Sequence, residues 1–167
     1  MVDPIVIGGA VATLVLLACS AFFSSSEIAI FSLPVESDTA DEGGNEHVLA
    51  ALRSDPHRLL VTLLVGNNVV NVAISSIITV IVARALDPGA AVVAATVLTS
   101  TLVLVFGEIV PKAYGLSNAA EWSLTVAPAI SLVERLLSPL ITVFDWVSRV
   151  ISGFIDGEED IERPYIE

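Results

Sequence analysis

One cysteine, two histidines and seven lysines and arginines are few for 167 residues, and each scarcity removes a class of function. Cys19 has no partner in the chain, so no intrachain disulfide exists. His47 and His57 stand in a polar loop far from that cysteine, which argues against a zinc site. Carboxylates outnumber the basic residues 19 to 7, and a net charge of −12 argues against nucleic acid or anionic lipid headgroups as partners. The acid is concentrated in "VESDTADEGGNE" (35–46) and "DGEEDIERPYIE" (156–167). Such clusters read as solvated loops, with attraction of cations toward a pore mouth as the alternative.

Charge is also missing from three long stretches, residues 4–26, 59–83 and 88–107. Each has the roughly 20 residues that a helix rising 1.5 Å per residue needs to cross about 30 Å of hydrocarbon. With 54% hydrophobic residues and a positive mean hydropathy, the chain reads as one all-α integral membrane domain. Three transmembrane helices are expected over about 4–33, 58–84 and 88–111. The later uncharged runs, 122–133 and 136–144, are shorter and interrupted by Glu134, Arg135, Pro128 and Pro139. They suit a juxtamembrane helical belt over about 117–155, with Trp122 and Trp146 as its interfacial aromatics. "LLAC" (16–19) resembles a lipoprotein cleavage box, but no basic residue precedes it and apolar residues run straight past Cys19.

Residues 1–26 contain no lysine or arginine, whereas Arg53 and Arg58 fall in the first loop, Arg84 at the short second connection, and Lys112, Arg135, Arg149 and Arg163 after the third span. The positive-inside rule therefore puts the N-terminus outside and the first loop and C-terminal tail in the cytoplasm. In that topology Ser20 and Ser24, Asn67 and Asn71, and Gly107 and Glu108 reach the cytoplasmic half of their spans at similar depth. Each Ser and Asn pair is spaced by four, hence on one helix face, while Asn68 is turned about 100° away and reads as packing.

"LLVGNNVVNVA" (63–73) and "VFGEIVPKAYG" (105–115) interrupt the hydrocarbon. Glu108 at that depth costs at least roughly 2.5 kcal/mol and should face protein, water or a cation. Pro111 lacks the N–H that would bond the Gly107 carbonyl, and Gly66 with the neighbouring amides should free carbonyls near Asn67. The donors are then the hydroxyls of Ser20 and Ser24, the Asn71 amide oxygen, carbonyls near Asn67 and at Gly107, and the Glu108 carboxylate. An all-oxygen set with one formal charge suits Mg²⁺, with Ca²⁺ or Na⁺ as alternatives. Interhelical packing and hydrogen bonding is the competing reading for any one of the serines. Lys112 reads as a snorkelling end-of-helix residue, or else as a partner of Glu108.

"FFSSSEIAIFSL" (22–33), "LLVGNNVVN" (63–71) and "FGEIVPKAYG" (106–115), in this order, resemble the DUF21 transmembrane domain of the CNNM/CorC family of magnesium transporters. The resemblance implies a homodimer embedded in membrane lipid and Mg²⁺ export from an inward-open site, exchanged for Na⁺, in the plasma membrane. It carries site roles onto Ser24, Asn67, Asn71, Gly107 and Glu108. It also implies that residues 156–167 begin an acidic cytoplasmic linker toward a CBS-pair module that this chain lacks. Family members often carry Gly or Ala where Ser25 stands, which bears on local packing. Two other readings stay open: a Mg²⁺-sensing or scaffold domain that binds without translocating, and an intramembrane hydrolase built on Ser24 with Glu108 or Lys112 as base. The second lacks any His or Asp in the spans.

Overall fold

The computed structural model describes residues 3–34 and 44–155. The chain runs through α1 (Pro4–Phe31), α2 (Asn45–Arg53), α3 (Pro56–Val82), α4 (Pro88–Leu102), a π-helical segment (Val103–Ile109), α5 (Val110–Ser117) and α6 (Ala119–Ile155). No strand occurs among the described residues. The acidic stretch 35–43, the linker expected at 156–167 and the Trp146 side chain lie outside them.

Three helices begin on one dipeptide, Asp-Pro. The carboxylates of Asp3, Asp55 and Asp87 accept from the backbone N–H of Ile5 (2.9 Å), Arg58 (3.0 Å) and Ala90 (3.2 Å). The proline that follows each one gives up an N–H that would have had no helical partner. Capped in this way, α1, α3 and the continuous rod Pro88–Ser117 are each long and apolar enough to cross a membrane. These are the three spans expected from the sequence.

The fourth long helix differs from expectation. Pro128 and Pro139 do not divide the segment after residue 117; both lie inside α6, a single helix of 37 residues. Its stretch Ala119–Phe144 is itself long and apolar enough to cross. Proline is tolerated in such helices because neighbouring elements re-satisfy the freed backbone groups, and α6 has a strong partner. Ser123, Val126, Ala127, Ile130 and Ile141 are buried along one face at helical spacing, while Leu132, Leu136 and Val143 on other faces are exposed. Arg58 at the start of α3 grips that helix at two points, donating from Nε to Glu134 and from Nη2 to Ser138 (3.2 Å). Trp122, expected as an interfacial aromatic, is half-buried against α1 and α5. Its indole Nε1–H donates to Ser25 Oγ at 3.0 Å, and its ring meets Tyr114 edge to face. Ser25 thus supplies the acceptor for the half-buried indole.

Two apolar clusters bracket the middle of the bundle. One joins Phe23 and Ile30 of α1, Leu49 and Leu52 of α2, Leu59 and Leu63 of α3, and Val126, Ala127 and Ile130 of α6. The other joins Ile74 and Ile78 of α3 to Ala95 and Val103 on the third span, with Leu16 and Leu17 of α1 against them. At the far end of the second cluster Arg84 pairs with Asp3 at 2.5 Å, tying the end of α3 to the start of α1.

Close approach of α1 and α5 depends on Gly115. A Cβ there would lie 2.3 Å from the backbone carbonyl oxygen of Ser25, an atom that cannot move aside independently. At Gly8 a Cβ would meet nothing within 4 Å. Gly115→Ala is therefore expected to lower the thermal midpoint in detergent by the equivalent of about 1–3 kcal/mol, as overpacking does. Gly8→Ala, measured alongside, is expected to leave it unchanged or raise it.

Candidate functional site

Between the two apolar clusters lies a polar layer. On α1 the order is Leu16 and Leu17, then Ser20 and Ser24, then Ile30; α3 runs in the opposite sense, from Leu59 and Leu63 through Asn67 and Asn71 to Ile74 and Ile78. The antiparallel match brings the serine and asparagine steps to one level. Ser20 Oγ lies 2.9 Å from Asn67 Oδ1 and 2.8 Å from Asn71 Oδ1. A hydroxyl has one proton, so it donates to one amide oxygen at a time, and three oxygens converge for a single hydrogen.

The third span closes the layer. Gly107 is buried, and a Cβ on it would stand 2.8 Å from Ser20 Oγ, so only glycine lets the span approach the hydroxyl this closely. Around it the backbone widens into the π segment, where the Val110 N–H bonds the Val105 carbonyl five residues back. Pro111 comes next. Residue 111 is where the α-register donor for Gly107 and the π-register donor for Phe106 would both stand, and proline supplies neither. The sequence signalled the proline but not the π register, which changes the count of affected carbonyls.

Around Asn67 the outcome differs from expectation in another way. α3 is helical without interruption from Pro56 to Val82, so Gly66 and the amides do not open its backbone. The reason is that the Asn67 and Asn71 side chains find their partner on α1 and do not compete for their own helix. Gly66 serves packing, since a Cβ there would fall 2.7 Å from the Phe23 ring. What α3 presents to the layer is therefore amide side-chain oxygen. Asn68, read as packing, is exposed.

Ser24 is fully buried, and its Oγ has no hydrogen-bond partner among the described residues. Other buried hydroxyls in the long helices bond the carbonyl one turn back, as Thr13 does to Gly9, Ser26 to Phe22 and Thr62 to Arg58. Ser24 does not, although nothing about α1 forbids it. Glu108 is half-buried in the π segment and makes no hydrogen bond or ion pair among the described residues. Lys112 neither simply snorkels nor pairs with Glu108: its ammonium lies 3.3 Å from Glu27. Glu27 was overlooked in the sequence because it falls just past the uncharged run 4–26, yet a lone acid still inside a helix, facing a lone lysine inside another, was the signal available.

The described residues contain no cluster of three or more His, Cys, Asp or Glu side chains able to hold a metal. The layer can bind ions only through neutral oxygens and one carboxylate. Residues 11–167 match the model of the cyclin M (CNNM) transmembrane N-terminal domain. The chain belongs to the CNNM family. It is a multi-pass membrane domain of that family, similar to a chloroplastic DUF21 domain-containing protein of Arabidopsis thaliana, 34% identical over 91% of this chain and 23% of the relative. It is also similar to a UPF0053 protein of Haemophilus influenzae (30% identical, 92% of this chain, 37% of the relative). A third relative is a UPF0053 inner membrane protein of Escherichia coli (28% identical, 85% of this chain, 34% of the relative). This CNNM domain thus spans about a quarter to two-fifths of these relatives' lengths.

Two serines one turn apart should respond oppositely in metal-free buffer. Ser20→Ala removes the donor to both amides and is expected to destabilise by about 0.6 kcal/mol or more. Ser24→Ala removes a buried hydroxyl that has no partner and is expected to leave the thermal midpoint unchanged or higher.

Proposed function

We propose that this CNNM domain binds Mg²⁺ in the polar layer and carries it out of the cytoplasm. The observation that carries the reading is the Ser20–Asn67–Asn71 convergence, with a fully buried, unpartnered Ser24 one turn along α1 and Glu108 following the Gly107 that meets Ser20. Oxygens at 2.8 and 2.9 Å from one another have the spacing of neighbouring ligands on an octahedron of radius about 2.0–2.1 Å, which is about 2.9 Å. Ser20, Ser24, Asn67, Asn71 and the backbone at Gly107 would supply neutral oxygens, and Glu108 the charge. A set with no thiolate or imidazole favours a hard cation over Zn²⁺ or copper.

Transport, as opposed to sensing, is the reading favoured by the family's membrane character and by the π segment that carries Glu108, since such bulges recur at functional positions. Na⁺ as the exchanged ion, a homodimeric assembly, a plasma-membrane location with the N-terminus outside, and a CBS-pair module following residue 167 belong to the same proposal. A hydrolytic role is disfavoured because Ser24 Oγ is not hydrogen-bonded to Glu108 or Lys112.

Glu108→Gln keeps shape and removes the charge. In proteoliposomes it is expected to abolish Mg²⁺ flux while the thermal midpoint stays near that of the parent protein; undiminished flux would contradict the assignment. Ser24→Ala, neutral or stabilising without metal, is expected to weaken Mg²⁺ binding by calorimetry, a trade of affinity against stability that a packing role does not produce. Equal affinity would remove Ser24 from the ligand set.

A further inference from the structure

Lys112 is paired with one carboxylate, Glu27, and follows another, Glu108, by four residues. Its ammonium reaches Glu27 across the α1–α5 contact at 3.3 Å. Glu108 lies earlier on the same rod as Lys112, near the end of the π segment. Glu108 has no ion-pair or hydrogen-bond partner among the described residues. Both members of the existing pair are partly open, Lys112 at 42% and Glu27 at 27% side-chain exposure. An ammonium on a flexible four-carbon stem can therefore change partners by rotating its side chain, with no helix moving.

We propose that Lys112 is a resident counter-ion exchanged between Glu27 and Glu108, resting on Glu27 while a cation occupies Glu108 and turning to Glu108 once the cation has left. The inference rests on the cation reading above and adds how the emptied site is neutralised. A bare carboxylate at membrane depth is costly. With Lys112 upon it the layer carries no net charge and can reorient without exposing one to hydrocarbon. Glu27, left behind, keeps access to water through its partial exposure. The arriving cation must displace the ammonium, so Lys112 is a competitor of the cargo and Glu27 is the group that holds the competitor away.

The test is a double-mutant cycle read as Mg²⁺ affinity, by calorimetry on the whole chain in detergent. Lys112→Gln removes the competitor and is expected to tighten binding by about two- to fivefold, the range of a partly exposed ion pair. Glu27→Gln releases Lys112 toward Glu108 and is expected to weaken binding by a similar factor. The double variant is expected to bind like Lys112→Gln alone, because Glu27 acts only through the lysine. If Glu27→Gln weakens binding equally in both backgrounds, the two charges act as a fixed field and the exchange is wrong. Unchanged affinity in Lys112→Gln overturns it as well. Lys112→Arg, which keeps the charge, is expected to bind as the parent does, so the Gln and Arg pair carries the test should Glu27→Gln fail to fold. A parent protein that binds no Mg²⁺ would overturn the cation reading itself, an outcome distinct from a parent that binds and a cycle that is additive.

Discussion

Inside hydrocarbon a hydroxyl must find an acceptor, and the cheapest one is the carbonyl a turn back on its own helix. The other buried serines and threonines of this domain do this or reach the carbonyl three residues back: Thr13, Ser25, Ser26, Thr62 and Ser123. Ser20 and Ser24 are exempt, and at the level of Ser20 the neighbouring helix α3 presents two amide oxygens. The exemption defines the polar layer. Everything else in the bundle serves to hold that layer at a fixed depth: the Asp-Pro starts that set where each span begins, the apolar clusters above and below, and the glycines at 66, 107 and 115 that let three helices approach.

Thr99 is a second exception and has no matching environment. Its Oγ1 is buried without a partner on the same four-residue stripe as Ala95, Val103 and Gly107. The face it occupies is otherwise apolar and packs against Ile74 and Ile78. The contrast shows why an unpartnered hydroxyl alone defines no site. At Ser24 the orphan lies one turn along α1 from Ser20, the hydroxyl that meets the two amides and Gly107, whereas Thr99 has only apolar residues and a glycine on its stripe.

Much of this was legible in the sequence, for physical reasons that differ by element. The three spans were readable because charge is excluded from hydrocarbon, and the depth match of Ser20, Asn67, Asn71 and Gly107 followed from a rise of 1.5 Å per residue. The unity of α6 was not readable, since proline's preference against helix interiors is overridden by packing along the Ser123–Ile141 face and by the Arg58 grip. The π segment was hidden because register depends on three-dimensional fit, in this case the contact between Gly107 and Ser20. The backbone of α3 stayed closed because its amides had a partner on another helix, which no local propensity reports. Lys112 was singled out in the sequence but Glu27 was not, and their pairing is a tertiary fact.

The central claim is that neutral oxygens and one carboxylate in the polar layer hold a hard divalent cation. Anomalous diffraction from crystals grown with Mn²⁺, an octahedral oxygen-seeking stand-in for Mg²⁺, tests it most directly. The account predicts one anomalous peak per chain within ligand distance of Ser24 Oγ and the Glu108 carboxylate, at the level of Asn67 and Asn71. A layer without a peak, with the Glu108 headgroup turned toward acyl chains, would contradict it.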